Sequence, residues 1–299
     1  AGGGRAAGLL TLRLGQEAYR GDRAAEHERK GARVMRGTVK HARQERADDC
    51  DQLKAEVMGT GGATAANARI TVPREHLAAA LKLVAEVLRE PAFPASELET
   101  LVKQQSTGIE SQRQEPQAKA MEFLGQTFDA YPAGHPSAYR SFDTRLQDLK
   151  GAKAEDLKGF HAAFYGADHA TFAASGDFDA QELQTLVTGL FGSWTSASPY
   201  TRIPARLKEV PGQSRALETP DKKMAIFIAA ERWAMKDTDP GYPAFLMANQ
   251  ILAAGALQHR PADRMPQQAA FRYGAASYDA ANTTDRVASC QRHATHPPP

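Results

Sequence analysis

The stretches LVAEVLREPAFPASELETLVKQQ (residues 83–105) and FHAAFYGADHATFAASGDFDAQELQTLVTGLFGSW (residues 160–194) decide the architecture of this chain. Just ahead of and within the first, Leu77, Leu81, Val84 and Leu88 recur at i, i+4, i+7 and i+11, which is one face of an amphipathic helix. Pro91 stops that helix, because proline disfavours the helical conformation in the residue before it. A second long helix is predicted over Ser96–Gln114, and Pro116 opens a third that reaches about Phe128. The second stretch begins inside a helix over Ala154–Tyr165 and continues into a strand over Ala170–Ser175. Gly176 permits a tight turn there, and Asp179 with Glu182 three residues on is a helix-capping pattern. The helix that follows ends at Gly192.

Working outward, Leu9–Leu14 alternates apolar and polar residues as a strand does. A helical region runs to Arg36 and a further helix covers Gln44–Ala55. Glu56–Gly59 and Ala66–Val72 form a predicted hairpin around GTGGAT, and a short helix lies near Asp143–Leu149. Thr195–Pro211 is rich in Ser, Pro and Arg without periodicity and reads as a linker. Beyond it, strands are expected near Ser214–Glu218 and Met224–Ala230 and a helix over Tyr242–Leu252. A last strand pair is expected near Phe271–Tyr278 and Asp285–Ala288. Helices interspersed with hairpins favour an α+β sandwich over a strictly parallel sheet. The expected division is a near-complete domain over 1–194, a linker over 195–211 and a partial second domain over 212–299.

Composition excludes several classes. A chain of 299 residues with 42% hydrophobic and 24% charged residues has enough apolar material for a real core. No apolar run approaches the ~18 residues that span a bilayer. A net charge of +2 is too small a field to argue for nucleic acid. The basic bias of residues 1–47 lacks interleaved aromatics and reads as a solvated helix face. Two distant cysteines, Cys50 and Cys290, imply no disulfide framework.

The two quoted stretches resemble the pitrilysin/insulinase family of zinc metallopeptidases, and the resemblance extends from about Leu10 to Ser289. It implies largely antiparallel sheets packed by helices, in halves of two similar α/β domains that close around a peptide. In the family's catalytic half, H-x-x-E-H on one helix supplies two His ligands and a Glu base. The matching segment here is EHERKGARVMRGT (residues 26–38). Counting back from Gly37-Thr38, the motif falls on Glu28, Arg29, Lys30, Gly31 and Ala32, so neither ligand position is His and the base position is Gly. Glu110 and Glu115 lie where a third carboxylate ligand would come from, but carboxylates alone do not make this site. No metal site and no cofactor are therefore expected in this chain.

The family's non-catalytic halves carry an Arg and a Tyr seven residues apart that reach toward the substrate. The matching segment is ADRMPQQAAFRYG (Ala262–Gly274), in which Tyr273 and Gly274 stand in place but Pro266 takes the position of the Arg. A phenol donates well to a developing oxyanion, so Tyr273 is the candidate substrate-binding residue; a strand tyrosine used for packing is the other reading. Cys290, His293 and His296 look metal-like, but they fall in a Pro-terminated tail with no visible scaffold. GTGGAT lacks the ending of a phosphate loop, and His161 and His169 read as surface or boundary residues.

The resemblance thus implies the non-catalytic, substrate-binding half of a zinc metalloendopeptidase, inactive alone and dependent on a zinc-bearing partner half. An extended peptide is its expected ligand, with no nucleic acid and no membrane span. The alternative is a structural or assembly protein of the same fold, or a decayed relic. Pro266 favours that alternative and Tyr273 the first reading. The second domain is expected to stop after its first few elements. Bacterial members are often exported, which makes the periplasm an analogy only.

Overall fold

The computed structural model describes residues 4–13, 43–61, 64–251 and 274–296. The fold is α+β, with antiparallel sheets packed by helices. Two compact units divide the chain. The first takes residues 1–106, 134–137 and 145–203, and the second takes 107–133, 138–144 and 204–299. Elements are numbered below in chain order among the described residues.

The first unit holds β1 (Arg5–Arg13), α1 (Arg43–Gln52), β2 (Glu56–Gly61) and β3 (Ala65–Pro73). A 3-10 turn (Arg74–His76) leads into α2 (Leu77–Arg89). Further on come α6 (Ala154–Phe164), β4 (Ala170–Gly176) and α7 (Ala180–Phe191). The sheet order is β2-β3-β1-β4, antiparallel throughout, with Leu10 opposite both Ala68 and Phe172. Strand alternation sends Ala6, Leu10 and Leu12 of β1, with Ala66, Ala68, Ile70 and Val72 of β3, to one buried face. Helices α2, α6 and α7 cover that face in a single core.

The stripe seen in the sequence is buried as expected, and α2 buries more than the stripe. Ala80, Leu83, Ala85 and Val87 are inside along with Leu77, Leu81, Val84 and Leu88. The helix ends at Arg89, two residues before Pro91. The Asp179 carboxylate accepts a hydrogen bond from the Glu182 backbone N–H at 2.8 Å, which satisfies one of the orphan donors at the start of α7. Gly176 has φ +117°, and a Cβ there would collide with the Arg5 carbonyl, so only glycine makes this turn.

Helix α3 (Ala95–Arg113) runs from the first unit into the second. The second unit continues with α4 (Pro116–Thr127) and the start of α5 (Phe142–Lys150). It is completed by β5 (Ala225–Trp233), α8 (Tyr242–Asn249), β6 (Gly274–Ala281) and β7 (Ala288–His296). Its sheet order is β5-β7-β6, again antiparallel.

Three sequence expectations are corrected here. Ser214–Glu218 forms no strand: every one of its residues is exposed, and β5 pairs with β7 rather than with it. Asp285 is not in a strand; the Asn282 side chain accepts from the Thr284 and Asp285 backbone N–H groups and turns the chain there, so β7 starts at Ala288. The supposed tail without a scaffold is β7 itself, the central strand of the sheet. The helical region expected before Arg36 lies outside the described residues.

Leu81 is 1% exposed in the centre of the first core. Leu81→Ala is expected to lower stability by about 2–5 kcal/mol, the range for truncating a buried leucine. Urea unfolding measures it, and a loss below about 0.5 kcal/mol, the scale of surface substitutions, would mean that this face is not what holds the unit.

Candidate functional site

Candidate chemistry in the sequence lies at the zinc-motif positions and at the Arg/Tyr-like segment. Glu28–Ala32, Pro266 and Tyr273 all lie outside the described residues, but the elements that frame the second segment are described. Helix α8 is continued by a π turn through Ile251, and β6 starts at Gly274, immediately after Tyr273.

The register of the three strands sorts the side chains around this frame. Asp279 faces Cys290, Ser277 faces Arg292, and Trp233 faces Ala288 across the ladder. Trp233, Cys290, Ser277 and Asp279 therefore share one face, which α8 covers, and Phe245 of α8 meets Trp233 edge-on at 4.8 Å. Below the helix, Asn249 and Ser277 are buried. The Asn249 Nδ2 donates to Asp279 Oδ1 at 2.5 Å, and Ser277 Oγ donates to Asn249 Oδ1 at 2.5 Å. The Cys290 thiol reaches the same oxygen at 3.9 Å. The opposite face carries Arg232, whose guanidinium sits 4.9 Å over the Phe128 ring, and the exposed Tyr278, edge-on to His293 at 5.4 Å.

The sequence reading missed the Asn249 cluster. Its signal was a lone polar residue in the otherwise apolar run YPAFLMAN, read there simply as a helix.

Among the described residues, potential metal ligands do not converge. Glu115 is paired with the Lys222 ammonium at 2.7 Å, and Glu110 lies 4.0 Å from Arg113. Cys290 and His293 are an odd number of residues apart on β7 and point to opposite faces. Among the described residues no group of three or more His, Cys, Asp or Glu could hold a metal ion. No helix there is long and apolar enough to cross a membrane.

His161 is more enclosed than a surface histidine. In the first unit its Nε2–H donates to the Leu88 carbonyl at 2.6 Å, and its ring packs against Tyr165 at 4.7 Å and Phe93 at 5.9 Å. Burial pushes its pKa below the ordinary 6.5, with the Leu88 hydrogen bond opposing. The Tyr165 hydroxyl beside it is buried without a hydrogen-bond partner, and burial pushes that phenol's pKa up. His169 is exposed and lies against the Tyr200 ring at 4.6 Å.

Residues 151–273 match the family model described as "Peptidase M16 inactive domain". The family match covers that stretch alone, and the likeness to solved structures shows the fold of the chain. A match to an inactive domain implies no catalytic zinc over residues 151–273. The chain is similar in fold to a peptidase M16 inactive domain from Pseudomonas fluorescens, with 22% identity and a TM-score of 0.78, covering 98% of this chain and 69% of that one. It is also similar to a protease from Helicobacter pylori, with 14% identity and a TM-score of 0.77, covering 99% of this chain and 71% of that one. Pitrilysin matches with 14% identity and a TM-score of 0.62, over 98% of this chain but only 31% of its own length. No curated protein matches the sequence.

A lowered His161 pKa has a definite sign in stability. The unfolded imidazole protonates near its ordinary value while the folded one stays neutral, so the contribution is present above pH 6.5 and is lost as pH falls below it. The loss of unfolding free energy between about pH 7 and 5 should shrink in His161→Gln, which keeps a donor for Leu88 but does not titrate. An undiminished loss in urea titrations at the two pH values would show that His161 is not the source.

Proposed function

We propose that this chain is the non-catalytic, substrate-binding half of an M16 metalloendopeptidase, with Tyr273 as its peptide-contacting residue. The observation that carries the reading is the inactive-domain match over residues 151–273, on a chain whose zinc-motif positions hold Glu28 and Ala32. Zinc chemistry is then supplied by a partner half, in which the metal polarises the peptide carbonyl and activates water. This chain supplies a wall for an extended peptide, a strand edge for backbone pairing, and the Tyr273 phenol as a donor. The proposed division keeps a domain over 1–194, a linker over 195–211 and a partial second domain over 212–299. A structural role without proteolysis is the second reading, and Pro266 in place of the family's Arg is what favours it.

Two outcomes test the proposal. The purified full chain should bind no stoichiometric zinc by metal analysis after dialysis, and should leave fluorescein-labelled casein-digest peptides uncut while binding them. Chelator-sensitive cleavage by the chain alone would contradict it. In fluorescence anisotropy, Pro266→Arg should tighten peptide binding about tenfold to hundredfold, the worth of one hydrogen bond to a charged group. It also restores a backbone N–H and frees a fixed φ. Tyr273→Phe should weaken binding by about threefold or more, the worth of one neutral hydrogen bond. A chain that binds no peptide, or binds it indifferently to both changes, plays the structural role instead.

A further inference from the structure

Strand β1 sends its side chains alternately to two faces. Leu10 and Leu12 go into the first core, so Thr11 between them stands on the opposite face of the sheet. Across the ladder Thr11 is opposite Asn67 of β3 and Thr171 of β4, which makes this rung polar on three adjacent strands. Residues 200–203, a segment without regular structure, meet the sheet here. Between that segment and the adjoining ends of β1 and β3 lies a cavity of about 190 Å³. The residues named below as its lining all belong to the first unit.

The chemistry of the lining selects a class of ligand. Thr11, Thr64, Tyr200 and Thr201 bear hydroxyls, and Arg202 bears a guanidinium. Ala65 and Ile203 add apolar wall, and no carboxylate is among these residues. A guanidinium stays charged at any working pH, and its planar fork of N–H donors matches the two oxygens of a carboxylate. Each hydroxyl can donate to the lone pairs that the fork leaves over. One guanidinium among neutral donors balances one negative charge, which suits a carboxylate better than a doubly charged phosphate. The volume is below the ~300 Å³ at which pockets for drug-sized ligands begin, so it takes one small group rather than a long ligand.

The wall of this cavity is fastened from behind. Ser196 donates from its backbone N–H and its hydroxyl to the two Asp168 carboxylate oxygens, at 2.9 and 3.0 Å. The Ser198 N–H donates to the Ala163 carbonyl in α6 at 2.8 Å, and the Tyr200 ring lies against His169 at 4.6 Å. The chain is thus tied to α6 and to the start of β4 just before it reaches the cavity, and walls fixed in advance lose little freedom on binding. We infer that this cavity is a ligand site for a carboxylate borne on a small apolar group. The Arg202 guanidinium takes the carboxylate, the threonine and tyrosine hydroxyls take its remaining lone pairs, and Ala65 and Ile203 flank the apolar part. The site stands whether or not Tyr273 contacts peptide. A carboxylate of this kind ends a peptide chain or belongs to a free short-chain acid, and the two sources are separable by experiment.

The test titrates the full chain by ligand-observed NMR with N-acetyl-alanyl-leucine, its C-terminal amide, isovalerate and inorganic phosphate. The dipeptide acid should bind saturably, and the amide, which lacks the charged acceptor, at least tenfold more weakly. Arg202→Gln should weaken the acid by about tenfold or more and leave the amide unchanged. Arg202→Lys keeps the charge but loses the fork, and should fall between Gln and the parent. Thr11→Val deletes one hydroxyl at nearly constant shape and should weaken the acid about threefold. Arg202 is exposed and Thr11 lies off the core face, so these changes spare the fold. If Thr11→Val nevertheless fails to fold, Tyr200→Phe removes a different hydroxyl and is read the same way.

Isovalerate about tenfold weaker than the dipeptide acid makes the ligand a chain end, and equal affinity makes it a free acid; both outcomes support the site. No saturable binding of either acid overturns it. So does an amide that binds as tightly as the acid, or an acid affinity that Arg202→Gln leaves unchanged. Phosphate binding as tightly as the acid overturns the assignment to a carboxylate.

Discussion

Strand β7 hydrogen-bonds on both of its sides, and the rest of the second unit hangs from that pairing. A strand inside a sheet has its backbone donors and acceptors satisfied on both sides, whereas among the described residues each of its neighbours pairs in the sheet on one side. The ladder also sets the register, and with a side-chain period of two the register sorts residues between the faces. Trp233, Ser277, Asp279 and Cys290 go to the face under α8; Arg232, Tyr278 and His293 go to the other. Moving β7 by one residue would exchange the two sets, and the Asn249 contacts would have no partners.

The two units are stabilised by different means. In the first, α2 lays eight buried apolar residues on a sheet face lined by Leu10, Leu12, Ile70 and Val72, and stability there follows apolar area. In the second, the described contacts of α8 with the sheet include a buried amide and a ring contact. Buried polar bonds contribute little net free energy but penalise any other arrangement heavily.

Identity of 14–22% with structures of the same fold means that the sheets and helices survive extensive change of sequence. Cores tolerate such change when volume and pattern are kept. Sites do not, because their chemistry depends on particular atoms. By the resemblance read from the sequence, Glu28, Ala32 and Pro266 would be changes of the second kind. They lie on a chain whose apolar pattern, capping aspartate Asp179 and turn glycine Gly176 are all intact.

The sequence by itself determined what depends on local or periodic signals. The α2 stripe, the stop at Pro91, the Asp179 cap, the Gly176 turn and the hairpin of β2 with β3 were all legible, because each is decided within a few residues. Only the tertiary structure decided that Ser214–Glu218 has no strand to pair with, and that Cys290–His296 runs through the middle of a sheet. It alone put His161 under Leu88 and beside Phe93, a residue at φ +48° that nothing in the sequence marks. It alone brought Asn249 to Ser277 and Asp279 across about thirty residues of chain. Strand pairing and buried hydrogen bonds join positions far apart, and no pattern within either segment records the partner.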